Sequence, residues 1–139
     1  MDSIHYQFPV DATDFTRAGE ASSELKQKLK QLNVPPDAIR RCSIAIYEGE
    51  INMAIHADGG NIDVDVYPDR VHMVLKDVGP GIPDIDLAMQ EGYSTADNQV
   101  NELGFGAGMG LPNMKRACDE FLIETELGVG TTVTMEVDF

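Results

Sequence analysis

A carboxylate and an amide lie one helical turn apart in a segment that is otherwise apolar. Glu48 and Asn52 are four residues apart, so a helix would place both side chains on one face. The amide oxygen of Asn52 is a suitable ligand for Mg²⁺, which keeps several waters and needs few protein ligands. The carboxylate of Glu48 could take a proton from an attacking hydroxyl or water. Because polar groups are costly to bury without partners, we expect this face to line a site.

The segment Asp77-Val-Gly79-Pro-Gly81 follows a predicted strand and could hold a planar ring that carries an amine. A carboxylate at the end of a strand can accept a hydrogen bond from an exocyclic amine. The two glycines would let the ring lie close to the backbone. Taken alone, the segment is equally typical of a strand followed by a turn.

A glycine tract follows, with Gly104, Gly106, Gly108 and Gly110 spaced by two residues ahead of a predicted helix. Glycine permits a close backbone approach, and a helix N-terminus presents free N–H groups to an anion. The tract therefore predicts a phosphate-binding loop. It contains neither the dinucleotide fingerprint nor a Gly-Lys-Ser/Thr motif, and an isolated tract of this kind is also typical of a flexible loop.

The net charge restricts what the chain can bind. Its 139 residues include 10 Lys and Arg against 24 Asp and Glu, a formal charge of −14. Such a field repels phosphate backbones and anionic lipid, so we expect neither nucleic-acid nor membrane binding. A polyphosphate ligand would have to be held by backbone N–H groups around Gly104 to Gly110 and by a metal ion at Asn52. The same charge predicts a basic or neutral surface on a protein partner.

The two cysteines, Cys42 and Cys118, are too few for a disulfide framework. The N-terminal residues show no basic segment followed by an apolar one, and no apolar run approaches the ~18 residues of a membrane span. We therefore expect a cytoplasmic protein with free thiols, with a single bond between the two cysteines as the alternative.

A small number of elements must position these residues. Alternating apolar residues predict strands, and apolar residues at helical spacing predict helices, the second of which is apolar on several sides and should be largely buried. The strands follow one another as hairpins and the helices can gather on one face. We therefore predict one domain over residues 1–139, a two-layer α/β sandwich with a mixed, mostly antiparallel sheet. The predicted strands are 4–10, 61–66, 71–78, 121–127 and 131–139, and the predicted helices are 15–33, 37–57, a short one at 85–90, and 111–120.

The order and spacing of the motifs resemble those of the Bergerat-type ATP-binding fold of the GHKL superfamily, which includes gyrase, MutL and the sensor histidine kinases. The resemblance extends over nearly the whole chain. Within the superfamily the sequence is similar to the small serine/threonine kinases of bacterial partner-switching systems, namely the anti-sigma factor kinases and the stressosome switch kinase. The matching motifs are Glu48-x-x-x-Asn52, Asp77-x-Gly79-x-Gly81, the tract from Gly104 to Gly110, and Gly130-Thr131-Thr132.

The resemblance implies a role for each matching residue. Asn52 would bind Mg²⁺, Glu48 would act as the general base, and Asp77 would accept a hydrogen bond from the adenine amine. Thr131, with Thr132 as the alternative, would contribute to the adenine side. Residues 84–103 would form a lid over ATP. The remaining cofactor-binding residues would lie beneath the adenine, at Gly79 and Gly81, or against the phosphates, at Gly104, Gly106, Gly108, Met109, Gly110 and Leu111.

Three residues of the second helix depart from the pattern of the anti-sigma branch. Ile51 stands where a small hydroxyl residue usually precedes the asparagine, and Gly49 and Glu50 interrupt what is commonly an alanine-rich turn. A glycine within a helix weakens it by about 1 kcal/mol relative to alanine. These departures bear on transfer activity rather than on nucleotide binding.

The resemblance implies a kinase that moves the γ-phosphoryl of Mg-ATP to a Ser or Thr of a regulatory partner. The partner would be a STAS-domain antagonist or another regulatory protein, with a sigma factor as a competing ligand, and the chain could form a homodimer. The alternative function is an ATP-gated binding module that holds or releases a partner with little or no transfer. A histidine kinase core is disfavoured because the sequence shows no helix pair that carries a phosphoacceptor histidine.

Overall fold

Five strands form one sheet in the computed structural model, which describes residues 3–10, 19–82, 89 and 110–139. In chain order the strands are β1 (Ile4–Val10), β2 (Gly60–Val66), β3 (Arg70–Asp77), β4 (Glu120–Glu126) and β5 (Gly130–Asp138). They lie side by side as β1-β2-β3-β5-β4, and all four pairings among the described residues are antiparallel. The predicted hairpins β2–β3 and β4–β5 are therefore confirmed.

One face of the sheet is apolar because side chains alternate along each strand. Val64 of β2, Met73 of β3 and Met135 of β5 lie in register on this face and have no solvent-exposed surface. The opposite face is polar. One row that crosses all five strands in register consists of His5, Asp65, His72, Glu136 and Glu120.

Three helices within the described residues complete the core on the apolar face of the sheet. They are α1 (Glu20–Gln31), α2 (Pro36–His56) and α3 (Gly110–Ala117). Helix α2 is the central one, since it packs against α1, against α3 and against the sheet. The predicted two-layer α/β sandwich is confirmed.

The ends of two helices differ from the prediction. Helix α1 begins at Glu20 rather than near residue 15, because Gly19 before it has a φ of 101°, a left-handed conformation that a helix cannot continue. Helix α3 ends at Ala117, and β4 begins soon after it. The expectations for residues 11–18, for the short helix at 85–90 apart from Met89, and for the lid at 84–103 lie outside the described residues.

Gly49 has a packing role that the sequence did not suggest. A Cβ atom at this position would lie 2.0 Å from Cδ2 of Leu75, a buried residue of β3. Glycine at position 49 therefore lets α2 approach the sheet more closely than any other residue would. What looked like a helix-weakening departure is a requirement of the contact between the two layers.

Both cysteines are free thiols in the structure. Cys42 is buried in α2 and Cys118 is half-buried just after α3. Burial raises the pKa of each thiol to about 12. Across residues 3–10, 19–82 and 110–139, no helix is long and apolar enough to cross a membrane.

The contact between Gly49 and Leu75 can be tested by a double-mutant cycle. Gly49→Ala should lower the free energy of unfolding by about 1–2 kcal/mol, because overpacking a dense core costs more than the helix propensity that alanine adds. In a Leu75→Ala background the new methyl group has room, so Gly49→Ala should stabilise the protein there. Urea unfolding monitored by circular dichroism measures all four proteins. Equal effects of Gly49→Ala in both backgrounds would contradict the packing role.

Candidate functional site

Glu48 and Asn52 of α2 both face α3. The side-chain N–H of Asn113 donates to Oε1 of Glu48 at 3.3 Å. The amide nitrogen of Asn52 lies 3.8 Å from Sδ of Met114, which is buried in α3. Burial raises the pKa of the Glu48 carboxyl above its usual value, and the Asn113 hydrogen bond opposes that shift. The half-buried Glu48 is therefore oriented by a neutral partner and is more basic than a free carboxylate.

Helix α3 begins beside Asn52. A Cβ atom at Gly110, the first residue of α3, would lie 2.9 Å from Oδ1 and 3.0 Å from Nδ2 of Asn52. Only glycine leaves the Asn52 amide open at this point. The first turn of α3, which includes Leu111, contains no acidic residue, and its N–H groups have no partners within the helix. A polar amide thus lies next to the positive end of a helix.

Asp77 ends β3 and is held by the neighbouring strand. The backbone N–H of Thr131 donates to Oδ1 of Asp77 at 2.8 Å. Gly130 precedes it with a φ of 154°, and a Cβ there would lie 2.3 Å from the carbonyl oxygen of Asp77. Burial raises the pKa of the Asp77 carboxyl, and the Thr131 hydrogen bond opposes the shift. One carboxylate oxygen is thereby fixed, and no other described residue bonds to the second.

The segment after Asp77 is fastened to the turn between β4 and β5. The N–H of Gly79 donates to the carbonyl oxygen of Val129 at 3.1 Å. At Gly81 the φ is 80°, and a Cβ would lie 2.8 Å from the carbonyl oxygen of Glu126. Position 81 therefore favours glycine on local grounds.

The structure distinguishes Thr131 from its alternative. The hydroxyl groups of Thr125 and Thr131 are 3.0 Å apart, and the Thr125 hydroxyl also accepts the N–H of Ile82 at 2.8 Å. Thr131 thus contacts Asp77 directly and is linked through Thr125 to the segment that follows it. Thr132 lies on the opposite, polar face of the sheet, in register with Lys76.

The two halves of the predicted site lie at the same end of the molecule. The N–H of Asp58, just past the end of α2, donates to the carbonyl oxygen of Val78 at 2.7 Å. A Cβ at Gly79 would lie 3.1 Å from Cα of Ala57. Asn52 is five residues before Ala57, a rise of ~7.5 Å along a helix. The Asn52 turn of α2 and the Asp77 end of β3 therefore flank one region of the surface.

The structure does not describe every predicted site residue. It places Glu48, Asn52, Asp77, Gly79, Gly81, Gly110, Leu111 and Thr131 around this region, whereas Gly104, Gly106, Gly108 and Met109 lie outside the described residues. Among the described residues no group of three or more His, Cys, Asp or Glu side chains could hold a metal. The predicted Mg²⁺ site rests on the Asn52 amide, whose oxygen suits such an ion and against which Gly110 places no side chain.

The sequence did not predict Asn113, which orients Glu48, or the structural role of Glu50. Glu50 is buried in α2, and its carboxylate accepts three backbone N–H groups at the start of α1, from Gly19 at 3.0 Å, Ala21 at 3.2 Å and Ser22 at 2.8 Å. Burial raises the pKa of Glu50, and these three bonds oppose that shift. The residue interpreted as an interruption of α2 is the N-terminal cap of α1, a helix that has no side-chain cap of its own.

The chain belongs to the family described as histidine kinase-, DNA gyrase B- and HSP90-like ATPases, which matches residues 40–139. The resemblance to the GHKL superfamily is thus confirmed. The chain is 36% identical over 97 residues to the serine/threonine-protein kinase RsbT of Bacillus subtilis (strain 168), which covers 67% of each protein. It is 30% identical over 143 residues to the anti-sigma F factor of Geobacillus stearothermophilus, covering 97% of this chain and 91% of that one.

A solved structure supports the fold. The catalytic domain of histidine kinase ThkA superposes with a TM-score of 0.51 at 16% identity, covering 99% of this chain and 96% of that domain. The open antiparallel sheet with helices on one face is therefore the fold of this superfamily.

Removing the Glu50 cap should destabilise the protein. Glu50→Ala should lower the free energy of unfolding by roughly 2–4 kcal/mol, because three N–H groups in a buried setting lose their charged acceptor. Glu48→Ala is the matched control on the same helix, and it should lose less than about 1 kcal/mol because its single partner is a half-exposed amide. Urea denaturation at neutral pH measures both. Similar losses in the two variants would contradict the capping role.

Proposed function

We propose that this chain binds Mg-ATP and transfers its γ-phosphoryl group to a Ser or Thr hydroxyl of a regulatory protein. The observation that carries the proposal is the placement of Glu48, held by Asn113 beside Asn52 and the N-terminus of α3. A half-buried carboxylate of raised pKa, next to an amide and a helix N-terminus, suits proton removal close to an anionic phosphoryl group. Similarity to RsbT, which is named a serine/threonine kinase, supports the same activity.

The adenine would lie against the Asp77 end of β3. The free oxygen of Asp77 would accept the exocyclic amine, since Oδ1 is already bonded to the N–H of Thr131. Gly79 and Gly81 would let the ring approach the backbone, and the Thr131 hydroxyl would line the same side. This arrangement would select adenine over rings with a carbonyl oxygen at that position.

The phosphates would lie between α2 and the start of α3. Asn52 would hold Mg²⁺, which would neutralise charge on the phosphate oxygens when bound. Backbone N–H groups at Gly110 and Leu111 would contact the phosphates, together with Gly104, Gly106, Gly108 and Met109 if these follow the superfamily pattern. Because α3 carries the positive end of its dipole here, anion binding does not require a favourable net charge on the whole protein.

The transfer step would use Glu48 as the base. Glu48 would accept the proton of the partner's Ser or Thr hydroxyl as that oxygen bonds to the γ-phosphorus. The bond between the γ-phosphorus and the bridging oxygen would break, and ADP would leave with the bonding electron pair. The products are a phosphorylated partner, ADP and a protonated Glu48.

The alternative function is an ATP-gated binding module with little or no transfer. It is favoured by the similarity of nearly the whole chain to the anti-sigma F factor of Geobacillus stearothermophilus, a protein named for its action against a sigma factor. Under either function we propose that residues 1–139 act as one cytoplasmic domain and that the partner is a STAS-domain antagonist or another regulatory protein, with a sigma factor as a further ligand. A homodimer is compatible with both.

Glu48→Gln separates the two functions. The variant keeps an Oε1 acceptor for Asn113 but cannot take a proton, so transfer should fall by about 10²- to 10⁴-fold while ATP affinity changes by less than about twofold. Transfer is measured with γ-labelled ATP and the STAS-domain proteins encoded in the same genome, and affinity by calorimetry. Glu24→Gln, an exposed change of the same type on α1, is the control and should leave both unchanged. Undetectable transfer to every STAS protein by the native chain would favour the binding module.

Asp77→Asn tests the adenine contact independently of transfer. Because Asn Oδ1 would keep the Thr131 N–H, the side-chain NH₂ would face the exocyclic amine of ATP, two donors would meet, and affinity should fall by about tenfold or more. Inosine triphosphate carries an oxygen at that position, so its affinity relative to ATP should rise.

Stability provides the control for Asp77→Asn. The raised pKa of Asp77 means that ionisation disfavours folding as the pH rises through that pKa. The neutral variant escapes this effect and should be no less stable than the native chain at pH 7.

Equal losses of affinity for ATP and inosine triphosphate would contradict the assigned contact.

A further inference from the structure

Half of the positive charge of this acidic chain lies in one short segment. Five of the ten Lys and Arg residues fall between positions 26 and 41, and the only acidic residue there is Asp37. This segment covers the C-terminal part of α1, the turn at Asn33 and the first turns of α2. This segment therefore carries a net positive charge, although the net charge of the whole chain is −14.

Three of these five cations line a groove between α1 and α2. The groove encloses about 620 Å³. Its walls carry Lys26 and Lys30 from α1 and Arg40 from α2. The complete lining is Lys26, Lys30, Asn33, Val34, Pro35, Pro36, Ile39, Arg40, Ser43 and Ile44.

The two lysines of the groove have no acidic partner among the described residues. No carboxylate in that part of the chain lies within 4.0 Å of Lys26 or Lys30, whereas Arg40 pairs with Asp37 at 2.8 Å. Lys26 and Lys30 are one helical turn apart, and like charges at this spacing destabilise a helix. Lys30 also lies in the last turn of α1, where the helix dipole favours a cation, and an external anion would relieve the repulsion between the two lysines.

The other two cations of the segment are engaged away from the groove. Lys28 lies 5.9 Å from the ring centre of Tyr6 in β1. Arg41 bonds to Asp119 at 3.0 Å, to the carbonyl oxygen of Asp138 at 3.0 Å and to Asp37 at 3.2 Å. Among the described residues, the two groove lysines thus form no ion pair within the chain, and Arg40 forms only an exposed pair with Asp37.

The floor of the groove is apolar. Val34 and Ile39 are buried and Ile44 is half-buried, and two prolines form the turn beside them. A phosphate backbone alone would leave this floor unused, and the net charge of −14 repels an extended polyanion. A short peptide segment with carboxylates on its flanks and apolar side chains toward the floor matches both parts of the surface.

We propose that the α1–α2 groove is a docking site for an acidic, amphipathic segment of a partner protein. The carboxylates of the segment pair with Lys26, Lys30 and Arg40, and its apolar side chains cover Ile44 and the two prolines. The groove uses the N-terminal half of α2, whereas Glu48 and Asn52 lie on the C-terminal half, so docking does not require the nucleotide chemistry proposed above. The total charge predicts a basic or neutral partner surface, and this groove is the local exception.

Selection from a random 12-residue peptide display library on the full-length chain tests the proposal. Enriched peptides should combine an excess of Asp and Glu with apolar residues. Synthetic copies should bind the double variant Lys26→Glu/Lys30→Glu at least about tenfold more weakly than the native chain, because two attractive pairs become repulsive. Peptides with their acidic residues replaced by Lys should regain affinity for that variant.

Lys28→Glu is the matched control, since it reverses a charge on the same helix outside the groove. It should change peptide affinity by less than about twofold. Circular dichroism confirms that each variant is folded. The proposal is overturned if no peptide is enriched, if the enriched peptides lack acidic residues, or if they bind the double variant as well as the native chain. Tighter binding of a 12-base-pair DNA duplex that is lost in the same variant would assign the groove to nucleic acid instead.

Discussion

The arrangement of this protein depends on how closely α2 can lie against its neighbours. At Gly49 the helix meets Leu75 with no room for a Cβ atom, and at Asn52 it meets Gly110 in the same way. These two glycines lie on different elements. Gly49 permits the close approach of α2 to the sheet, and Gly110 permits the close approach of α3 to α2. Because dense packing transmits small displacements rather than absorbing them, an added methyl group at either contact would move Glu48 and Asn52 together. The candidate site is therefore a property of the interlayer packing as much as of its own side chains.

The buried Glu50 joins the contact between α2 and α1 to the contact between α2 and the sheet. Glu50 is one residue past Gly49, and its carboxylate holds the first N–H groups of α1. The sheet contact and the α1 contact thus come from adjacent residues on different faces of α2. The groove between α1 and α2 exists only while α1 is fixed in this position. Nucleotide site and groove are separate surfaces, but both are built on the placement of one helix.

Much of this could be predicted from the sequence, and the misses have physical causes. Apolar periodicity located the strands and α2 to within a residue or two, because burial on one face of a sheet or around a central helix leaves a strong pattern. The start of α1 was placed too early, since periodicity carries no information about the left-handed Gly19. Glu50 and Asn113 were not predicted as partners because their contacts span 28 to 31 and 65 residues of chain. Long-range hydrogen bonds leave no local signal, whereas a motif such as Asp77-x-Gly79-x-Gly81 can be recognised from its residue types and short spacing, although Thr131, which bonds to Asp77, is 54 residues away.

The burial of the two thiols has a consequence for the chemical durability of the molecule. Because burial raises the pKa of Cys42 and Cys118, only a small fraction of either thiol is ionised at neutral pH. Peroxides and alkylating agents react with the thiolate, so Cys42, which has no exposed surface, should resist them for as long as the core stays closed. Labelling of Cys42 by iodoacetamide would then require α2 to move away from its neighbours. Cys42 can therefore report transient opening of the core without any added probe.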